Sequence, residues 1–173
     1  SIGTYAFTLN KSLESIYISN NISGINEITF AGCSNLKSIN VGDANKYYSS
    51  IDGVLFNKDK TELIAYPSGK TDSTYEIPNS VTNIGNAAFS YTTNLTSLTI
   101  PNSVMSIGDE TFFDCTSLTS IETSDDNKNY SSVDGVLFNK DKSELVTYPA
   151  GKTDSVYSIP NSVTNIVDRA FSD

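Results

Sequence analysis

Side chains that could do chemistry are few in this chain, and their types exclude most of it. The 173 residues include two cysteines, Cys33 and Cys115, and no histidine. Without an imidazole the commonest general base, metal ligand and pH switch are all missing. Ser-His-Asp and Cys-His nucleophile systems cannot be assembled, and neither can a His-ligated zinc site. Asp125-Asp126-Asn127, and Asn57 with Asp59 and Glu62, offer the hard oxygen ligands that calcium takes. Neither group has the spacing of an EF-hand loop or a glycine-rich calcium repeat, so both read as solvated turn residues. No catalytic, cofactor-binding or metal-binding residue is assigned, no cofactor is expected, and the chain is not read as an enzyme.

The charge balance narrows the partners. Eleven Lys and Arg stand against 20 Asp and Glu, a formal net charge of -9. Binding to phosphates needs clustered positive charge, so no nucleic acid partner is expected. No apolar run reaches the roughly 18 residues of a membrane span, so no membrane insertion is expected either. The opening residues, Ser1 to Tyr5, lack the basic and apolar regions of a signal peptide. Solubility outside a cell or on its surface fits this composition.

The elements that position these residues are repeats. Ile-Pro-Asn-Ser-Val-x-x-Ile occurs at Ile77 to Ile84, Ile100 to Ile107 and Ile159 to Ile166, with a looser copy at Ile18 to Ile25. Five residues past each closing isoleucine stands Phe89, Phe112, Phe171 or Phe30, and Ile2 with Phe7 keep the same spacing. Six residues after a phenylalanine come Leu13, Leu36, Leu95 and Leu118, which open LESIYI, LKSINV, LTSLTI and LTSIET. Asp72 and Asp154 open degenerate versions. The whole of 1–173 thus reads as one solenoid fragment with coils starting near 13, 36, 72, 95, 118 and 154, and with an 82-residue super-unit, since Leu36 and Leu118 stand 82 apart. Asp52 to Lys60 recurs identically at Asp134 to Lys142.

Apolar residues two apart, such as Ile16 and Ile18, put one face of a short strand inward. A single short strand cannot bury that face, so coils must stack and share a core. Val81, Ile84, Ala88 and Phe89 are expected to fill it from the return side. Tyr48 to Asn57 reads as one strand and Glu62 to Pro67 as another, a β-hairpin replacing the return segment of coils 2 and 5. Gly53 and Gly135 should supply a bulge or a positive φ, and Asn79, Asn102 and Asn161 should bond backbone groups in their turns. Cys33 and Cys115 lie three coils apart, roughly 14 Å at about 4.8 Å per step, beyond the ~7 Å reach of a disulfide. Two buried free thiols are expected.

The pattern L-x-x-I-x-I-P-N-S-V-x-x-I-G-x-x-x-F-x-x-C-x-x-L, closest at Leu95 to Leu118, resembles the BspA-like class of leucine-rich repeats. The Y-S-S-x-D-G-V-L-F-N-K-D-K blocks at Tyr48 and Tyr130 resemble the longer units of such proteins. Asp72, Asp154 and, at the cysteine position, Thr92 depart from the pattern. The resemblance implies a repeat solenoid, mainly β with short 3-10 or helical turns: a right-handed leucine-rich-repeat solenoid with β-hairpin insertions. It also implies an extracellular or cell-surface protein engaged in adhesion, with a protein or glycan on host or neighbouring cells as partner. It carries over no catalytic or binding residue.

Candidate binding residues come from the repeats themselves. A residue repeated in every coil serves the coil, so function is sought where coils differ. The outward strand positions Tyr17, Asn40, Glu76, Thr99, Glu122 and Ser158 change from each coil to the next and form the candidate binding face. Four sequons, at Asn10, Asn21, Asn94 and Asn129, matter only in a eukaryotic source. The second functional expectation is a spacer or stalk that presents another domain of a longer surface protein. Neither end shows a polar cap, so end-to-end self-association through uncapped ends is a further expectation.

Overall fold

The computed structural model describes residues 1–172. The chain winds into a β-solenoid of about seven turns with almost no helix. The strands are β1 (Ser15–Ile18), β2 (Ser38–Val41), β3 (Tyr48–Ile51), β4 (Val54–Asn57), β5 (Glu62–Ala65), β6 (Thr74–Glu76), β7 (Asn83–Ile84), β8 (Ser97–Ile100), β9 (Ser106–Ile107), β10 (Ser120–Thr123), β11 (Tyr130–Val133), β12 (Val136–Asn139), β13 (Glu144–Thr147) and β14 (Asn165–Ile166). A 3-10 turn at Glu27–Phe30 is the one helical element among the described residues.

Two parallel tracks run along the coil stack. On the first, β1 pairs with β2, and β8 pairs with β6 on one side and β10 on the other. Ser15 faces Ser38, and Thr74 faces Ser97, which faces Ser120. Each step is one 23-residue repeat, so inward Ile16 lies on Ile39 and inward Leu98 on Ile121. On the second, return track, β5, β7 and β9 pair in parallel, as do β13 and β14. The turns between the tracks close on their own backbone: the Val81, Val104 and Val163 amides donate to the Pro78, Pro101 and Pro160 carbonyls.

Coils 2 and 5 hold more than a hairpin. Tyr48 to Asn57 is not one strand: it folds back at Asp52-Gly53 into β3 and β4, and β4 then pairs with β5 in a three-stranded antiparallel meander. The cause is local. Asp52 and Gly53 both have positive φ, 49° and 79°, the two-residue turn that matches the twist of a hairpin. Asp134 and Gly135 repeat it at 50° and 78°. The second connection, through Asn57 to Lys60, is the one its turn residues predict; Asn57 Oδ1 accepts from the Thr61 and Glu62 amides. Each Asp-Gly tip docks on the preceding strand, Gly53 O accepting from Ile39 N at 2.8 Å and Gly135 O from Ile121 N at 2.9 Å. Those tips occupy the edges of β2 and β10, which is why β2 does not pair with β6.

The core is mostly aliphatic and falls into three clusters along the stack, the largest running from Val54 of coil 2 to Leu137 of coil 5. Val81, Ile84, Ala88 and Phe89 are all buried, packed with Leu95, Leu98, Ile100 and Cys115. A ladder of rings runs through it, Tyr66 on Phe89 at 5.2 Å and Phe89 on Phe112 at 5.9 Å between centroids. Both cysteines are free and fully buried. Cys33 Sγ donates to Phe7 O and Cys115 Sγ to Phe89 O. Burial raises both thiols, Cys115 to about 11.

Two expectations about asparagines are corrected. Asn79, Asn102 and Asn161 are exposed and make no hydrogen bond among the described residues, because the proline turn beside them already closes through its backbone. Asn127 is no solvated turn residue: it is fully buried. Its amide donates to Pro101 O at 2.8 Å and Val104 O at 3.2 Å, and its carbonyl accepts from the Asn129 and Tyr130 amides. Asn45 does the same in coil 2, donating to Ser19 O and Ile22 O and accepting from the Tyr47 and Tyr48 amides. Each asparagine clips the entry of a meander to the turn of the coil before it.

Candidate functional site

The strand pleat places the outward residues. Tyr17 lies beside Asn40 on the first track, and Glu76, Thr99 and Glu122 lie side by side farther along it. Tyr17 is 66% exposed; Asn40, Glu76 and Glu122 are exposed and Thr99 is half-buried. The row is broken into these two groups by the Asp52-Gly53 tip. Ser158 is exposed but lies outside any strand. Two members are braced: Asn40 Nδ2 donates to Ser38 Oγ, and Glu122 accepts from Ser120 Oγ and Ser132 Oγ. What the row offers is a tyrosine with an amide, then two carboxylates flanking a hydroxyl, suited to hydrogen bonding.

A second feature was not found by sequence reasoning. A cleft of about 540 Å³ opens on the return track between β9 and the coil-5 segment that includes β13. Its walls carry Asp109, Glu110, Glu144 and Asp168, with the rings of Tyr130 and Tyr148. Arg169, the single arginine of the chain, reaches from coil 6 to Glu110 of coil 4 and pairs with it, its guanidinium 5.3 Å from the Phe113 ring centre. One super-unit earlier the matching positions hold Ile28, Ala31 and Ala87. The available signal was this departure between near-identical super-units, read on the return track instead of the strand track.

The calcium candidates do not converge. Asn57 and Asn127 are committed to backbone groups, as above. Among the described residues no group of three or more Cys, Asp or Glu could hold a metal ion, and no helix is long and apolar enough to cross a membrane.

Comparison with known proteins sets these surfaces in a family. The model of the BspA-type leucine-rich repeat region, in six copies, matches residues 1–76 and 69–154. A search of curated protein sequences gave no significant match. Among solved structures, a leucine-rich cell surface protein from Faecalibacterium prausnitzii is 28% identical, with a TM-score of 0.70 over 97% of this chain and 41% of its own. A leucine-rich repeat protein from Eubacterium ventriosum is 25% identical, TM-score 0.64, over 99% of this chain and 61% of its own. The pneumococcal vaccine antigen PcpA is 25% identical, TM-score 0.65, over 89% of this chain and 35% of its own. This chain therefore spans less than two thirds of each of these neighbours. Six family copies in register, over coils whose strands pair one repeat apart, make the chain a member of the BspA-type leucine-rich repeat family.

Proposed function

We propose that this chain is a non-catalytic binding module of a cell-surface or extracellular protein, meeting a protein or glycan on host or neighbouring cells through its strand row. The observation that carries the reading is the contrast along the first track. Inward Ile16, Ile39, Leu98 and Ile121 are aliphatic and Tyr75 is the one aromatic among them, while outward Tyr17, Asn40, Glu76, Thr99 and Glu122 change from each coil to the next and, Thr99 excepted, are exposed. Solenoids use such faces for recognition. One neighbour is itself named a cell surface protein, which supports the location. The test is a binding screen of the chain against matrix proteins and glycans, followed by Tyr17→Ala, Glu76→Ala and Glu122→Ala. Weaker capture by these variants supports the row; unchanged capture removes it.

A second reading is a spacer that holds another domain away from the surface. It is favoured by the identity of Asp52 to Lys60 with Asp134 to Lys142, because uniform duplication lengthens an array without making a distinct face. A screen without any partner supports the spacer.

A further inference from the structure

Return segments join coil to coil by one rule. Alternate amides of one coil donate to carbonyls of the next: Ala87 to Asp109 at 2.9 Å, Phe89 to Thr111 at 3.0 Å and Tyr91 to Phe113 at 2.8 Å. The equivalents one coil later are Glu110, Phe112 and Asp114. Among the described residues none of these three amides has a hydrogen-bond partner. The coil that should accept from them is coil 5, where the β11–β13 meander replaces the ordinary return segment. Three unpaired donors two residues apart are the edge of an unfinished ladder. Glu110 and Phe112 lie in the wall of the 540 Å³ cleft, a volume inside the range of about 300–1,000 Å³ typical of occupied sites.

From this geometry we infer that the cleft takes an extended, basic peptide segment of a partner protein. The peptide's carbonyls complete the ladder by accepting from Glu110 and Phe112, as in strand addition to an open edge. Its Lys or Arg side chains meet Asp109, Glu110, Glu144 and Asp168, four carboxylates against the single guanidinium of Arg169. The Tyr130 and Tyr148 rings give its aliphatic stems apolar surface. Arg169 lines the same cleft and pairs with Glu110, so it competes with the peptide's own cation for that carboxylate. A second copy of this chain is a poor occupant, since its net charge is -9. The cleft lies off the strand row, so this inference stands or falls separately from the role proposed for Tyr17, Glu76 and Glu122.

The experiment is an NMR titration of the full chain with an acetylated, amidated peptide alternating lysine and valine, and with its glutamate-valine counterpart. The basic peptide is expected to shift the Glu110 and Phe112 amide signals and slow their hydrogen exchange, while the acidic peptide does neither. Asp109→Asn with Asp168→Asn should weaken binding by about tenfold, and Arg169→Gln should tighten it. Glu76→Ala with Glu122→Ala should leave it unchanged. Equal binding of the acidic peptide, shifts confined to Glu76, Thr99 and Glu122, or no saturation by about 1 mM overturns the inference. So does protection of the Glu110 and Phe112 amides on raising protein concentration alone, which would mark a second copy as the occupant.

Discussion

The Tyr130 hydroxyl accepts a hydrogen bond from the Ile107 amide at 3.0 Å, and Tyr48 does the same for Ile25 at 2.8 Å. Each pair spans a junction where an ordinary coil meets a meander coil. At other junctions the equivalent amide goes to backbone: β7 and β9 pair directly through Ile84 and Ile107. A meander offers no strand at that point, so the first residue of β3 or β11 supplies a side-chain acceptor instead. The repeat thus carries its own repair for the break it introduces.

Tyr130→Phe removes this acceptor and leaves the half-buried Ile107 amide unpaired. The expected loss is about 1–2 kcal/mol of unfolding free energy, read as a lower urea midpoint. Tyr48→Phe should behave alike. The double variant should lose the sum, because the two junctions share no partner. A change of less than about 0.3 kcal/mol in either single variant would mean that water replaces the hydroxyl.

Gly53→Ala and Gly135→Ala should be severe for their size. Each glycine has a left-handed φ, and a Cβ at Gly53 would lie 2.8 Å from Ser38 Cβ and 2.9 Å from Ser38 Cα. Strain and clash together should cost about 2–4 kcal/mol, and should also disturb the Ile39 to Gly53 bond on which the tip docks. Chemical denaturation measures the first, and the exchange rate of the Ile39 amide the second. An alanine variant as stable as the parent would show that the tip can shift away from β2.

The same turn shows where the sequence was legible and where it was not. Strand positions and core residues could be read because one fixed period governs inward side chains: Leu98, Ile121, Val81 and Phe89 are where the register puts them. The Asp-Gly pair carried its turn in plain sight, yet the β-rich run around it, from Tyr48 to Asn57, reads equally well as one strand. Asparagine roles were harder, since their partners lie in another coil: Asn127 reaches Pro101, while repeated Asn79 reaches nothing. The cleft was marked only by the departure between super-units at Glu110, Phe113 and Arg169. It arises from amides that lack a partner in the next coil, and no residue pattern near Glu110 or Phe112 announces an absent neighbour. Arg169 marks it only once coils 4 and 6 are known to meet across coil 5.

Asn127→Ala should be more damaging than the loss of any exposed asparagine side chain. The side chain is fully buried and satisfies two carbonyls and two amides. Removing it strands the Asn129 and Tyr130 amides and leaves the Pro101 and Val104 carbonyls only their longer bonds to the Val104 amide and Asn129 Nδ2, with an expected loss of about 2–3 kcal/mol. Asn127→Asp keeps the size and the acceptor but turns both donors into an oxygen facing Pro101 O and Val104 O, so it should not rescue. Asn79→Ala is the control and should stay within about 0.5 kcal/mol of the parent. Equal effects at Asn79 and Asn127 in thermal or urea unfolding would refute the clip.

Alkaline pH should weaken the fold through its tyrosines. Burial is the main cause that raises the Tyr66 and Tyr75 hydroxyls; the carboxylates of Asp72 and, for Tyr75, Asp52 add to it. Tyr66 also hydrogen-bonds Asp72. A tyrosine whose folded pKa lies above its unfolded value holds its full contribution below the unfolded value. As pH rises past that value, near 10, the unfolded chain releases the proton first and stability falls until the folded pKa is passed. Stability should therefore be insensitive to tyrosine ionisation up to about pH 9 and decline above about pH 10, by up to ~1.4 kcal/mol per pH unit for each such residue. Urea unfolding at stepped pH measures the slope. Tyr75→Phe should make it shallower by about one tyrosine's share; an unchanged slope would place the alkaline loss on other groups.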